Sequence, residues 1–368
     1  MLNAPTWRRL DYPAQGERKM SRRFASVALK ISAAALAFAS ASPAMAQNKI
    51  KLSTVQSIGS VVTYIAQDKG YFKAEGLDVD IVLVNSAAQA VALLAQGELQ
   101  VMEGGVSIGF FNALEKGMPL IMTSDRVSSP IGHKLIVRAD LKGKITKVQD
   151  LKGKNVGTNA IASVTTYELG KLLMKYGMTL KDVELKQLGF PQMSPAMKNG
   201  ALDATVNIPP FASAMEEAGD GFTIARVDDD VEPSPMTIAS SFINTDWLKK
   251  DKDAVRRFFV AYMRATRDYC LAYHNGPNRK EVMEIALKNG LERSIEDIDK
   301  TEWTGRSMNG AVNMKSVMDQ QAFYIEQGLV ERATSEDRMY TTEFIDYANN
   351  KLGPAPAINP ASKLPGCR

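Results

Sequence analysis

The chain has 368 residues, 45% of them hydrophobic and 23% charged. That composition can fill one large core or two smaller ones and excludes disordered and fibrous classes. The formal net charge of +4 rests on the N-terminus, because residues 1–46 hold seven Lys/Arg and two Asp/Glu and leave 38 basic and 39 acidic side chains, net −1, beyond them. With no Lys/Arg run interleaved with aromatics, nucleic acid drops out as an expected partner.

The first 46 residues read as an export leader. "MSRRFASVALK" is basic, "ISAAALAFASAS" is small and apolar, and Ala44-x-Ala46 is a cleavage pattern, so a signal peptide cut near Ala46/Gln47 and a periplasmic location are expected. A start at Met20 suits this leader better than Met1. Arg22-Arg23 is followed at once by Phe24, which leaves general or twin-arginine export open. No apolar run reaches the roughly 18 residues of a membrane-spanning helix. No cysteine stands at the cleavage point to anchor a lipid.

"KIKLSTV" (49–55) alternates as a strand, and "VVTYIAQDK" after it carries a helical stripe ended by Gly70. "LDVDIVLV" (77–84) is apolar on both faces at its end, which predicts a central strand. "NSAAQAVALLAQG" offers an Asn85/Ser86 cap, a helix and Gly97 as its stop. "LQVME", the turn "GGVS", the helix "IGFFNALEKG" and the strand "PLIMTSDRV" follow. Strand and helix alternate across short connections, the pattern of a parallel α/β sheet.

The pattern then restarts. "KNVGT", "VELKQL", "LDATVN" and "FTIARV" read as strands, separated by the helices "SVTTYELGKLLMKYG", "SPAMKNG" and "PPFASAMEEAG". The segments "LLAQGELQVMEGG" and "AMKNGALDATVNIP" superpose on Gly97 and Gly200, which makes the second unit a repeat of the first. Ligands of open α/β sheets bind beyond the carboxyl ends of the strands, so two such rims predict a cleft between two lobes. From residue 240 the chain turns mostly helical, with Phe258, Phe259, Tyr262 and Tyr269 of one long helix facing a core, and residues 351–368 read as an irregular tail.

Catalytic chemistry finds few residues to work with. Two histidines stand in the whole chain, and both His133 and His274 read as surface or hinge residues. No H-E-x-x-H, G-x-S-x-G, phosphate-loop or G-x-G-x-x-G pattern occurs, so no catalytic residue, metal or cofactor is expected. Asp228-Asp229-Asp230 reads as a solvated loop. Cys270 reads as a buried helical thiol and Cys367 as part of a loose tail, and a bridge between them is the less favoured arrangement.

"YIAQDKGYFKAEGLDVDIV" resembles the GYF-x-x-EGL-x-V signature of periplasmic substrate-binding proteins of the nitrate/sulfonate/taurine type, with which the thiamine-precursor binders group. "VQDLKGKNVGT", "MKNGALDA" and "NTDWLKKDKDAVRRFFVAYMRATRDY" continue the resemblance in order over roughly residues 49–350. It implies a two-lobed α/β fold of the type II binding-protein class, each lobe a mostly parallel sheet flanked by helices. Lobe one would hold residues 49–131 and 242–350, lobe two residues 132–241, with crossings at "HKLIVRAD" and "TIASSFI". It implies a monomer that captures a small organic anion (a sulfonate, a carboxylate, or a nitrate-like or aromatic acid) and delivers it to a membrane permease of the ABC type. A binder of a neutral heteroaromatic vitamin precursor, a sensor module and an enzyme of thiamine-pyrimidine type stand as alternatives.

Carried over by position, the resemblance implies ligand contacts from Ser57, Ile58 and Gly59; Ser86; Gly104, Gly105 and Val106; Ser163, Val164 and Thr165; and Asn207 with Pro209. Glycines would let backbone N–H groups reach the ligand, and helix N-termini would offer free donors. Plain N-capping suits Ser86, Ser163 and Thr165 equally well. Where sulfonate binders carry an aromatic-acid-proline turn, this chain has Asn207-Ile208-Pro209, with Phe211 just beyond. Phe190 suits a larger apolar pocket as well as a core, and Arg126 is the candidate partner for a ligand's charge, with a surface role as the alternative.

Overall fold

The structure, a computed structural model, describes residues 48–85 and 87–367. The export leader, its cleavage point and the cap residue Ser86 therefore lie outside the described residues.

Strands β1 (Asn48–Thr54), β2 (Leu77–Leu83), β3 (Val101–Gly105) and β4 (Leu120–Ser128) alternate with helices α1 (Val61–Asp68), α2 (Ala87–Ala95) and α3 (Ile108–Glu115). A second series follows, β5 (Lys134–Arg138), β6 (Asn155–Thr158), β7 (Glu184–Gln187), β8 (Ala204–Asn207) and β9 (Gly221–Arg226), with α4 (Val164–Lys175), α5 (Phe190–Lys198) and α6 (Phe211–Glu217) between its strands. Strand β10 (Thr237–Asn244) precedes the helical remainder, whose main members are α7 (Lys252–Tyr273), α8 (Met314–Glu326) and α9 (Glu343–Leu352).

Two five-stranded sheets result, ordered β2-β1-β3-β10-β4 and β7-β6-β8-β5-β9. In the first, β1 runs parallel to β2 and β3, and β10 runs antiparallel to β3 and β4. In the second, β5 takes the place of β10 and runs against β8 and β9. Each sheet thus has four strands in one direction and a single opposed strand, the one by which the chain enters from the other sheet. Parallel neighbours need a crossover helix, so the carboxyl ends of the strands and the amino ends of the following helices gather on one rim. The repeat read around Gly97 and Gly200 falls just before β3 and β8, which hold the same place in their sheets. Both glycines end a helix at positive φ, 77° and 79°, a conformation that a Cβ disfavours.

Caps set the helix starts. Ser107 Oγ accepts from Phe110 N (3.3 Å) at α3, and Asp251 Oδ1 accepts from Ala254 N (3.0 Å) at α7. The apolar face of α7 is buried, Phe258 stacking on Phe72 (5.3 Å) and Phe259 on Phe344 of α9 (5.8 Å).

Several expectations fail here. Strand β2 lies at a sheet edge rather than in the centre, and Leu83 at its end is 53% exposed. Cys270 and Cys367 are joined in a disulfide, with Cα atoms 5.1 Å apart, because the tail folds back onto α7. His274 is buried there, its Nδ1 2.8 Å from Ser362 Oγ and its Nε2 3.2 Å from the Cys367 carbonyl. The triple aspartate is no free loop. It forms a single helical turn, Val227–Asp230, and the Asp228 carboxylate accepts from the N–H groups of Ile131 and Gly132 at 2.8 Å.

Helix α8 bridges the two sheets' surroundings. On one side Gln320 Nε2 donates to the Thr237 carbonyl of β10 (2.7 Å). On the other Phe323 packs edge-on to Tyr167 of α4 (5.3 Å), and Asp319 accepts from Tyr167 Oη (2.7 Å) and Lys171 Nζ (2.9 Å). This approach needs Gly170, where a Cβ would stand 2.1 Å from Phe323 Cζ. Helix propensity favours alanine over glycine by about 1 kcal/mol, whereas overpacking costs about 1–3 kcal/mol. Gly170→Ala is expected to lower stability by up to about 2 kcal/mol in urea unfolding, and a raised midpoint would refute the contact.

Candidate ligand cleft

Between the two rims lies a cavity of about 70 Å³ with mainly apolar walls. From the first sheet's side come Val55, Ser57, Ile58 and Gly59 after β1, Ala87 at the start of α2, Gly105 at the end of β3, and Arg126 and Val127 of β4. From the second come His133 just before β5, Asn159 after β6, Ser163, Val164 and Thr165 at the start of α4, Phe190 at the start of α5, and Ile208 and Pro209 after β8. Ile238 and Ala239 of β10 and Thr304 complete the wall.

Ten of the expected site residues thus meet at one cavity: Ser57, Ile58, Gly59, Gly105, Arg126, Ser163, Val164, Thr165, Phe190 and Pro209. Four do not line it. Gly104 lies under α2, where a Cβ would come within 2.9 Å of Ala87 Cβ, and Val106 is buried in the apolar core. Asn207 is fully buried, its Oδ1 accepting from Ile208 N (2.9 Å) while Nδ2 has no partner among the described residues. Phe211 stacks on Phe190 at 6.1 Å and faces an adjoining hollow of about 110 Å³ that shares Val55 and Phe190.

The glycines serve approach between protein parts. A Cβ on Gly105 would stand 2.9 Å from Val164 Cγ1, so the end of β3 and the first residue of α4 touch across the cleft. Ser163 occupies the N-cap position of α4 without capping it. Its Oγ lies 2.6 Å from both Asn159 Oδ1 and the Ala160 carbonyl and 2.9 Å from Thr165 Oγ1, and Thr165 Oγ1 in turn donates to Asn159 Oδ1 (2.9 Å). Thr166 N donates to the Ser163 carbonyl (3.1 Å), and the N–H groups of Val164 and Thr165 before it have no side-chain cap.

Arg126 is 3% exposed and no surface residue. Its Nε donates to Glu103 Oε2 (3.3 Å) and its Nη2 to Thr54 Oγ1 (3.1 Å) and to Ser60 Oγ, while Thr63 Oγ1 also donates to Glu103. No hydrogen bond from Nη1 is made among the described residues, and it lies beside Gly59 of the cavity wall, where a Cβ would stand 3.8 Å from it. Behind it, burial pushes the Asp125 carboxyl up to about 6, against the pull of Ser128, the Ser307 N–H and Arg306.

His133, expected at a surface or hinge, is no surface residue: it stands in the segment that joins the two sheets, 6% exposed in the cavity wall, its Nδ1 3.0 Å from each oxygen of Glu168. Sequence spacing gave no sign of it, since its partner stands 35 residues away. Asn159, Ile208, Ile238, Ala239 and Thr304 were missed as well. The first two directly follow strands β6 and β8, where rim geometry could have pointed to them. Thr304 sits in an irregular stretch that carries no pattern. Among the described residues no three His, Cys, Asp or Glu side chains converge as a metal site.

The family model described as NMT1/THI5 like matches residues 58–273. A Haemophilus influenzae protein named for thiamine biosynthesis is 28% identical over 145 residues, 39% of this chain and 43% of its own. The 4-amino-5-hydroxymethyl-2-methylpyrimidine phosphate synthase of Aspergillus parasiticus is 26% identical over 219 residues, 57% of this chain and 62% of its own. The chain thus spans less than two thirds of the length of these relatives. Among solved structures, the alkanesulfonate-binding protein SsuA of Xanthomonas axonopodis pv. citri, bound to MOPS, superposes with a TM-score of 0.63 at 16% identity over 82% of this chain and 97% of its own. The shared fold is that of the periplasmic binding proteins.

The Arg126–Glu103 pair can be tested apart from any ligand. Removing one partner of a buried ion pair strands the other at a cost of about 3–5 kcal/mol, whereas replacing both is far milder. Arg126→Met is expected to lose stability on that scale in urea unfolding, and adding Glu103→Gln to restore most of it. A double variant no more stable than the single would show that packing, not charge, holds Arg126.

Proposed function

The chain belongs to the NMT1/THI5-like family, and on that footing we propose that it is a periplasmic solute receptor that captures a small organic anion in the cleft between its sheets and hands it to an ABC-type membrane permease. The observation that carries this reading is the cleft. Two repeated rims, one helix end with uncapped N–H groups and the buried Arg126 converge on a single mainly apolar cavity. Such a site suits an organic body with one acidic group, a sulfonate, a carboxylate or an aromatic acid, bound by Ser57, Gly59, Arg126, Ser163 and Thr165. The fold shared with an alkanesulfonate binder supports the same class.

In this proposal the export leader directs the chain to the periplasm, where a monomer works by hinge closure. Lobe one comprises residues 49–131 and 242–350 and lobe two residues 132–241, and the position of β10 in the first sheet supports drawing the second crossing from Thr237. The closed form is favoured only by as much as ligand binds it better than the open one.

A second reading has its own support, because relatives of this chain are named as pyrimidine phosphate synthases and the cleft wall holds a histidine backed by a carboxylate. One experiment separates the two. Ligand at about 100 times Kd stabilises by about 2.7 kcal/mol, so one member of a panel of sulfonates, carboxylates and heteroaromatics is expected to raise the melting temperature and leave the panel member chemically intact. A silent panel would overturn the receptor reading. Conversion of a panel member, or a His133 consumed in mass spectrometry, would establish the enzyme.

A further inference from the structure

His133 is held from two sides. Its carbonyl accepts from Val227 N (3.1 Å), and the two residues before it are fixed by the Asp228 carboxylate. Its ring is fixed by Glu168, whose side chain is fully buried in α4. Both Glu168 oxygens lie at 3.0 Å from Nδ1, the arrangement of one N–H shared by the two acceptors of an ionised carboxylate. A carboxylic acid donating to the ring would use one oxygen. Nδ1 therefore carries the hydrogen, and in the neutral ring Nε2 keeps its lone pair. No hydrogen bond to Nε2 is made among the described residues, and His133 lines the cavity. The neighbouring hydroxyls of Ser163 and Thr165 are already engaged with Asn159.

We propose that His133 is the specificity residue of the cleft: its Nε2 accepts a hydrogen bond from the captured molecule, which is therefore an acid that also carries an O–H or N–H donor. This rests on the receptor reading. Arg126 meets the acidic group and His133 the donor, with the apolar wall between them. Glu168 acts as a positioning residue that sets the tautomer.

The test uses 3- and 4-hydroxybenzoate, their methoxy counterparts and benzoate, with affinities by calorimetry. A site built to bond a ligand hydrogen rejects the analogue lacking it, so the better hydroxybenzoate is expected to bind at least tenfold tighter than its methyl ether. Nitrogen-15 NMR of the ligand-free protein, which has only two imidazoles, is expected to show His133 with a bare Nε2. Glu168→Gln supplies an amide that can donate to Nδ1 and so place the hydrogen on Nε2, and it is expected to erase the preference, because hydroxyl and ether oxygens both accept from an N–H. If that variant does not fold, His133→Phe keeps the ring and is expected to abolish the preference. A protonated Nε2 in the free protein, or a preference untouched by the variants, overturns the assignment. Failure of all five benzoates overturns the donor-bearing aromatic acid. Failure of the wider panel as well is the separate outcome that removes the receptor reading.

Discussion

The polar side chains that reach the cleft wall from its two sides are partnered inside the protein. Arg126 is held by Glu103 and His133 by Glu168, and all four side chains are buried. An isolated charge in such a place would carry a desolvation penalty that no small ligand could be relied on to offset. Because Glu103 already pairs with Arg126, the cleft does not depend on a ligand to neutralise that charge. What remains for recognition is directional: the N–H groups of Arg126 and of the α4 terminus, the ring of His133, and the shape of the apolar walls. On the receptor proposal the cleft selects hydrogen-bonding pattern more than net charge.

The same residues tie the site to the two strands by which the chain passes from one sheet to the other, where the receptor proposal puts the hinge. His133 stands at the head of β5 and Ile238 and Ala239 lie in β10, the two strands that run against their sheets. A change in the angle between sheets must therefore move cavity wall as well as backbone. Helix α8 limits that motion, since it is bonded to β10 by Gln320 and packed on α4 through Phe323 and Asp319. A rigid element touching both halves favours a small set of discrete arrangements over continuous flexing.

Much of this was legible in the sequence, for identifiable reasons. Period and caps marked strands β1, β3, β6 and β8 and the helices after them, because each depends on residues within one turn or one strand of one another. The rim positions followed, since they are counted from those strand ends. What failed was long-range. The His133–Glu168 contact spans 35 residues and puts a carboxylate on the inner face of α4, where local pattern reads only helix. The disulfide spans 97 residues and a tail without periodicity. Leu83 was apolar enough to suggest a central strand, yet the choice of edge or centre belongs to sheet order, which strand composition does not encode. Asp228 looked solvated until the crossing segment was laid against it.

Gly105 joins these threads. It ends the strand that corresponds to β8, lies in the cavity wall, and meets Val164 where α4 begins. With no Cβ there, the end of β3 and the amino end of α4 come into contact beside the cavity. Any side chain at 105 would have to displace Val164 or hold the rims apart, and such a residue would oppose the closed form whatever the ligand. The glycine expected to admit a ligand to the backbone lines the cavity and also admits Val164 from the other half of the protein. On the receptor proposal, a captured ligand meets the donors that this contact holds beside the cavity.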